Sequence, residues 1–144
     1  MPRVSRFEID LTLAQQMARA ARACAAEQQA LVSVAVVDRG GNLLCFERMD
    51  GAEVAGPTLA LDKAYTALAH RVDTAELTDL VSPGAELAGM NSAAGGRYVA
   101  FAGGLPCWDG QVVIGGIGVS GGSGAQDAAA AAAGLAIYQA AAAG

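Results

Sequence analysis

The chain has little of what catalysis and metal binding usually draw on. Its 144 residues include one histidine, His70, one tryptophan, and an aromatic share of only 5%. A lone histidine excludes a metal site built from a histidine cluster and any mechanism that needs two imidazoles. The three cysteines, Cys24, Cys45 and Cys107, cannot all pair within one chain, and no CxxC spacing occurs. Neither a disulfide framework nor a zinc ribbon is therefore encoded. Positive charge is scarce too, with 9 Lys and Arg against 14 Asp and Glu and a net charge of −5. A nucleic-acid surface needs clustered cations to neutralise phosphates, so no nucleic-acid partner is expected. No uninterrupted apolar run approaches the ~20 residues of a membrane span, so no membrane partner is expected either. A P-loop, a Ser-His-Asp set and paired glycosidase carboxylates are missing. With unpaired cysteines and no secretory signal, the expected location is the reducing cytoplasm.

What is present is aliphatic. Hydrophobic residues make up 53% of the chain and glycines number 19, so the core must be built from closely packed Ala, Val, Leu and Ile. The length suits one domain, expected to span residues 1–144. Thr12 and Gln15 fit a capping box ahead of an amphipathic helix running to about Gln29. Leu31 to Val37 and Leu43 to Arg48 flank Arg39-Gly40-Gly41-Asn42 and read as a β-hairpin. Pro57 suits the first turn of a helix that runs to about Arg71 and carries Lys63 near its beginning. Asp73 caps a short helix through Leu80, and Ser82-Pro83 opens a further turn ending near Met90. Asn91 to Arg97 reads as a loop.

Three strands follow: Tyr98 to Ala102, Leu105 to Trp108, and a long one from Gln111 to Val119. Pro106 lacks an N–H and pushes its strand to a sheet edge. Asp109-Gly110 reads as a hairpin turn with both residues at positive φ. The near-continuous apolar character of residues 111–119 predicts a central strand with helices on both faces. A glycine-rich corner and an alanine-rich helix close the chain. Five strands with segregated helices give an α+β fold with an antiparallel sheet.

Several polar groups have two readings each. Gly116, Gly118 and Gly121 match GxGxxG, but no parallel βαβ unit and no acidic residue ~20 positions on accompany them. They serve either as a close-packed corner or, with Ser120 and Ser123, as an anion site at a helix start. His70 lies near a helix end, where it interacts with the dipole or, as the only imidazole, ligates a haem iron. Cys107 is a soft ligand, a reactive thiol or a buried small hydrophobe. Arg48, Asp50 and Lys63 either converge on an acidic ligand or form ion pairs that brace the loop. Asp38 and Asp109 read as turn residues.

Taken in order, Val36 to Asn42 (VVDRGGN), Arg48 to Ala52 (RMDGA), Lys63 to Ala67 (KAYTA), Gly103 to Pro106 (GGLP) and Gly115 to Gly122 (GGIGVSGG) with Gln126-Asp127 resemble the GlcG/HbpS family. That family comprises haem-binding and haem-degrading proteins and includes the C-terminal domain of PduO-type proteins. The resemblance runs from about Leu11 onward. It implies a profilin-like fold, a five-stranded antiparallel sheet sandwiched between helices, and assembly into a tetramer or octamer. It also implies binding of haem or a related tetrapyrrole, extending to degradation in some members. The pocket candidates carried by matching positions are Arg48, Asp50, Lys63, Thr66, Gly104, Pro106 and Ser120. Arg48 and Lys63 stand as anion partners and Asp50 as an orienter or general base; His70 is not among the matching positions, and is the candidate ligand, as the only imidazole, if iron is ligated. The alternative expectation is a cofactor-free isomerase, tautomerase or hydrolase. It would act on a small carboxylated metabolite, with Arg48 and Lys63 holding the carboxylate and Asp50 or Lys63 moving a proton.

Overall fold

The structure, a computed structural model describing residues 2–144, is an α+β arrangement around a four-stranded antiparallel sheet. In chain order the elements are α1 (Leu11–Glu27), β1 (Ser33–Asp38), β2 (Leu43–Arg48), α2 (Gly56–His70), α3 (Leu77–Leu80), β3 (Gly104–Asp109), β4 (Val112–Ser120) and α4 (Gly124–Ala143). The sheet order is β2-β1-β4-β3, so β4 is internal and β3, with Pro106, lies at an edge as its missing N–H requires.

Alternation along the two inner strands decides how closely each helix layer approaches. Val34 and Val36 of β1 pair with Val119 and Ile117 of β4, and these bulky side chains join Met17, Ala21 and Ala131 in the core beneath α1 and α4. On the opposite face the partners are small: Ala35 faces Gly118 and Val37 faces Gly116. There α2 lies directly on the sheet, because a Cβ at Gly118 would overlap the Ala60 carbonyl oxygen and one at Gly116 that of Ala64. The predicted helices on both faces are thus present. The GxGxxG run is explained by packing against α2, with Gly121 at φ +137 turning the corner.

The expected fifth strand is absent. Residues 98–102 do not join the ladder, because threonine hydroxyls satisfy their backbone instead. The Val99 N–H donates to Thr66 Oγ1 at 3.0 Å, and the Ala100 carbonyl accepts from Thr78 Oγ1 at 2.6 Å. Pairing begins only where the Val119 N–H donates to the Gly103 carbonyl at 2.9 Å.

Local signals shifted by a residue or two in several places. Asp10, not Thr12, caps α1, its carboxylate accepting from the Leu13 N–H at 2.8 Å. Pro57 sits in the first turn of α2, which ends at Arg71 in the left-handed region at φ 58. The residues after Ser82 form turns as far as Gly89, as expected, and short 3₁₀ pieces follow within the expected loop. Between β3 and β4, Asp109 pairs with Val112, so the two-residue loop is Gly110-Gln111 and only Gly110 takes positive φ. Glycine at the first central position is the pattern of a type II′ hairpin turn. Asp38 is a turn residue as predicted, accepting from the N–H groups of Gly40 and Asn42. Ser123 and Gln126 form a reciprocal capping box at the start of α4.

Candidate functional site

The most deeply buried charged side chain among the described residues is Lys63. It occupies the middle of α2, not its beginning, and is 1% exposed. Its ammonium donates to the Val119 carbonyl at 2.9 Å and to Asp127 Oδ2 at 3.1 Å, and the Phe101 ring covers it at 5.1 Å. Asp127 in turn accepts from the Gly122 N–H at 2.8 Å. Burial pulls the Lys63 ammonium below its ordinary value and pushes the Asp127 carboxyl above its own, while their attraction opposes both shifts. Gly103 is required here, since a Cβ would stand 2.9 Å from the Lys63 nitrogen in a backbone held at φ +124. The pair therefore ties α2, the end of β4 and the start of α4 into one unit.

Arg48 and Asp50 lie elsewhere. The Arg48 guanidinium donates to the Ala52 carbonyl, bracing the loop after β2. With Asp50, Arg22, Glu47 and Met49 it lines an open cleft of about 590 Å³. Lys63 is not part of that lining, and Arg22 is already paired with Glu47. The expected convergence of Arg48, Asp50 and Lys63 on one acidic ligand is thus not assembled. Asp127 holds Lys63, and Arg48 is held by its own loop. The ion pairs expected to brace that loop are not formed either: Arg48 braces it through a backbone carbonyl, and the Lys63 pair lies at the start of α4.

Thr66, Gly104, Pro106 and Ser120 are held by scaffold contacts. Thr66 donates to the Asp62 carbonyl at 2.7 Å while accepting from Val99. A Cβ at Gly104 would overlap the Lys63 carbonyl oxygen, and the Gly104 N–H donates to Thr74 Oγ1 at 2.9 Å. Pro106 faces Gly116 across the β3–β4 ladder, and Ser120 faces Ser33 across β1–β4. Cys107 is fully buried and its thiol is pushed up to about 12 by burial, so of its three readings the small hydrophobe is realised.

His70 differs from these residues. Its Nε2 is buried without a hydrogen-bond partner, and its ring meets Tyr98 edge-on at 4.4 Å. Tyr98 also meets Tyr65 at 6.3 Å, and the Arg97 guanidinium lies 3.5 Å over the Tyr65 ring. Arg97 Nε donates to Asp62 Oδ1 at 3.1 Å. A continuous aromatic and cationic ledge therefore runs along the outer side of α2. No cluster of three or more His, Cys, Asp or Glu fit to hold a metal occurs among the described residues. No helix among them is long and apolar enough to cross a membrane.

Two residues were not singled out from sequence as site components. Asp127 was legible in principle, because a lysine on the inner face of a helix requires a buried carboxylate. Arg97 carried no signal, since its loop position says nothing about stacking on a helix thirty residues earlier.

Comparison with known proteins adds an independent line. Residues 9–136 match the family described as haem degrading protein, HbpS-like. An uncharacterised 15.0 kDa protein of the dhaT-dhaS intergenic region of Citrobacter freundii is 47% identical over 119 residues, covering 83% of this chain and 84% of its own. The corrinoid adenosyltransferase PduO of Salmonella typhimurium is 43% identical over 112 residues, 78% of this chain but only 33% of that protein. Among solved structures, Klebsiella pneumoniae protein ORFY superposes with a TM-score of 0.91 at 40% identity, covering 97% of both chains. A PduOC:haem complex superposes with a TM-score of 0.87 at 38% identity, covering 91% of this chain and 95% of the other.

Proposed function

The chain belongs to the HbpS-like family of haem-degrading proteins, and from that premise we propose that it binds haem or a related tetrapyrrole. The observation that carries this reading within the molecule is the His70 imidazole. A buried nitrogen without a partner costs about 1–3 kcal/mol. A ring set edge-on to Tyr98, with no hydrogen-bond partner at Nε2, is chemically fit to ligate iron in the tautomer that protonates Nδ1. The haem-bound PduOC structure supports the same class of ligand. Bound haem would supply iron-centred redox and oxygen chemistry, which is what degradation of the macrocycle requires. This chain's own part is to hold and orient the ligand.

Because Nε2 faces protein, ligation requires the segment at Tyr98 to tilt outward. That segment is fastened to the helices by the hydroxyls of Thr66 and Thr78, without a strand ladder to break. The same reading takes the protein as a self-associating one, in a tetramer or octamer. Val54, Leu43 and Phe46 are exposed apolar side chains, and an apolar groove between Leu43, Phe46, Pro57 and Leu61 runs beside the edge strand β2. Its three free cysteines support a reducing, cytoplasmic setting.

The test is a haemin titration of the purified protein followed by visible absorbance, with His70→Ala beside it. Saturable binding with a Soret maximum that moves in the variant is expected. Absence of saturable binding in the unmodified protein would remove haem from consideration.

A further inference from the structure

Resting on the self-associating reading, we infer that the outer edge of β2 is the docking surface for a second copy of this chain, the two β2 strands pairing antiparallel across a two-fold axis at Phe46. The two edges of the sheet are finished differently. Along β3 the outward groups are used up: the Gly104 N–H donates to Thr74 Oγ1 at 2.9 Å, Pro106 has no N–H to offer, and the Trp108 carbonyl accepts from the Tyr138 hydroxyl at 2.8 Å. Along β2 nothing takes that place. The Met49 N–H donates to the Val32 carbonyl at 3.0 Å, and the register continues with Glu47 opposite Val34 and Cys45 opposite Val36. Bonding alternates along an antiparallel pair, so Phe46 and Arg48 turn their N–H and C=O groups away from β1. No other backbone group among the described residues meets them there. The strand also carries no proline or lysine, residues that commonly blunt an exposed edge.

That asymmetry selects the occupant. The blocked β3 edge cannot accept another copy's β2, so a head-to-tail filament is closed off and the isologous contact of β2 with itself remains. Side chains then set the register. On the α2 side of β2, Phe46 is 38% and Leu43 49% exposed, beside a groove completed by Pro57 and Leu61. Phe46 opposite the second copy's Phe46 makes a hydrogen-bonded pair, covers both rings and joins the two grooves into one apolar seam. Centring the axis on Glu47 instead sets two carboxylates opposite each other, which is unfavourable.

Charge complementarity agrees with this register. With Phe46 on the axis, residues 48–50 of one copy run beside residues 42–44 of the other. The cleft holding Arg48 and Asp50 then adjoins the second copy's hollow holding Asp38 and Arg39. Asp50 has no ion-pair partner among the described residues, and Arg39 holds only Glu8, in an exposed pair at 3.0 Å. Asp50 and Arg39 are the opposite charges that the seam brings together.

The experiment measures the mass of the full chain in solution by analytical ultracentrifugation over a concentration series. Phe46→Pro gives β2 the block that β3 already has, taking away an outward N–H that the fold does not use. It is expected to cut the mass of the assembly to half or less, with far-UV circular dichroism and the urea midpoint reporting that the fold is kept. Phe46→Cys, made together with Cys24→Ser and Cys45→Ser, tests the register without a proline. Opposite residues of a hydrogen-bonded pair stand about 5.5 Å apart at Cα, within disulfide reach, so mild oxidation is expected to link two chains. Arg39→Glu and Asp50→Arg are each expected to weaken association several-fold and the double variant to restore it, a rescue that an unrelated peptide strand docked on the same edge would not produce. Association indifferent to Phe46→Pro, or Phe46→Cys chains that stay single on oxidation, overturns the β2 pairing and leaves self-association standing. A monomer at every concentration overturns both, and the haemin titration is decided separately.

Discussion

Replacing Lys63 with methionine should destabilise the protein strongly, and replacing both Lys63 and Asp127 should not. Methionine approximates the lysine stem in volume, so the single variant isolates the charge. It leaves the Asp127 carboxylate buried, with only the N–H groups at Gly121 and Gly122 to hold it. Removing one partner of a buried pair costs about 3–5 kcal/mol, whereas exchanging both for apolar side chains is often neutral or stabilising. For a chain of this size 3–5 kcal/mol corresponds to a fall in Tm of roughly 10–20 °C. The assay is urea and thermal unfolding of the unmodified protein, Lys63→Met, Asp127→Leu and the double variant, at one fixed protomer concentration because self-association shifts Tm. Both singles are expected to fall sharply and the double to recover most of the loss. A Lys63→Met midpoint within about 1 kcal/mol of the parent would refute the argument, since the pair would then not be closing the junction of α2, β4 and α4.

The same pair gives a pH prediction. In Asp127→Asn the Lys63 ammonium keeps its burial but loses the carboxylate that favours its charge, so its folded-state pKa drops further. The unfolded chain then binds more protons than the folded one. Relative to the parent, this variant should gain stability as pH rises toward the ordinary lysine value of about 10.4, as read from urea midpoints between neutral and alkaline pH. Thr66→Val strands the buried Val99 N–H. It should cost about 1–3 kcal/mol, and amide exchange should quicken at Val99 ahead of the sheet. Gly118→Ala drives a methyl into the α2 backbone, so at least about 3 kcal/mol and a loss of soluble protein are expected. Cys107, buried with its thiol raised to about 12, should resist maleimide in the native state and label only on unfolding, after the half-buried Cys24 and Cys45.

The sequence by itself determined much of the architecture. The helix and strand types, the edge position of β3, the internal position of β4, helices on both faces, and the turn roles of Asp38 and Gly110 all follow from local chemistry. They depend on proline lacking a donor, glycine admitting positive φ and apolar residues recurring at fixed periods, and each acts over a few residues. The ordered motifs also carried family membership. Only the tertiary structure decided which polar groups meet. Residues 98–102 have strand-like composition, yet two threonines on distant helices bind their backbone and remove them from the sheet. Lys63 looked like a second cation holding an acidic ligand with Arg48, yet it finds Asp127 sixty-four residues later. His70, Tyr98, Tyr65 and Arg97 become neighbours because the loop before β3 folds back over α2. A buried charge takes whatever partner the packing brings within about 3 Å, and no local pattern in the chain encodes that distance.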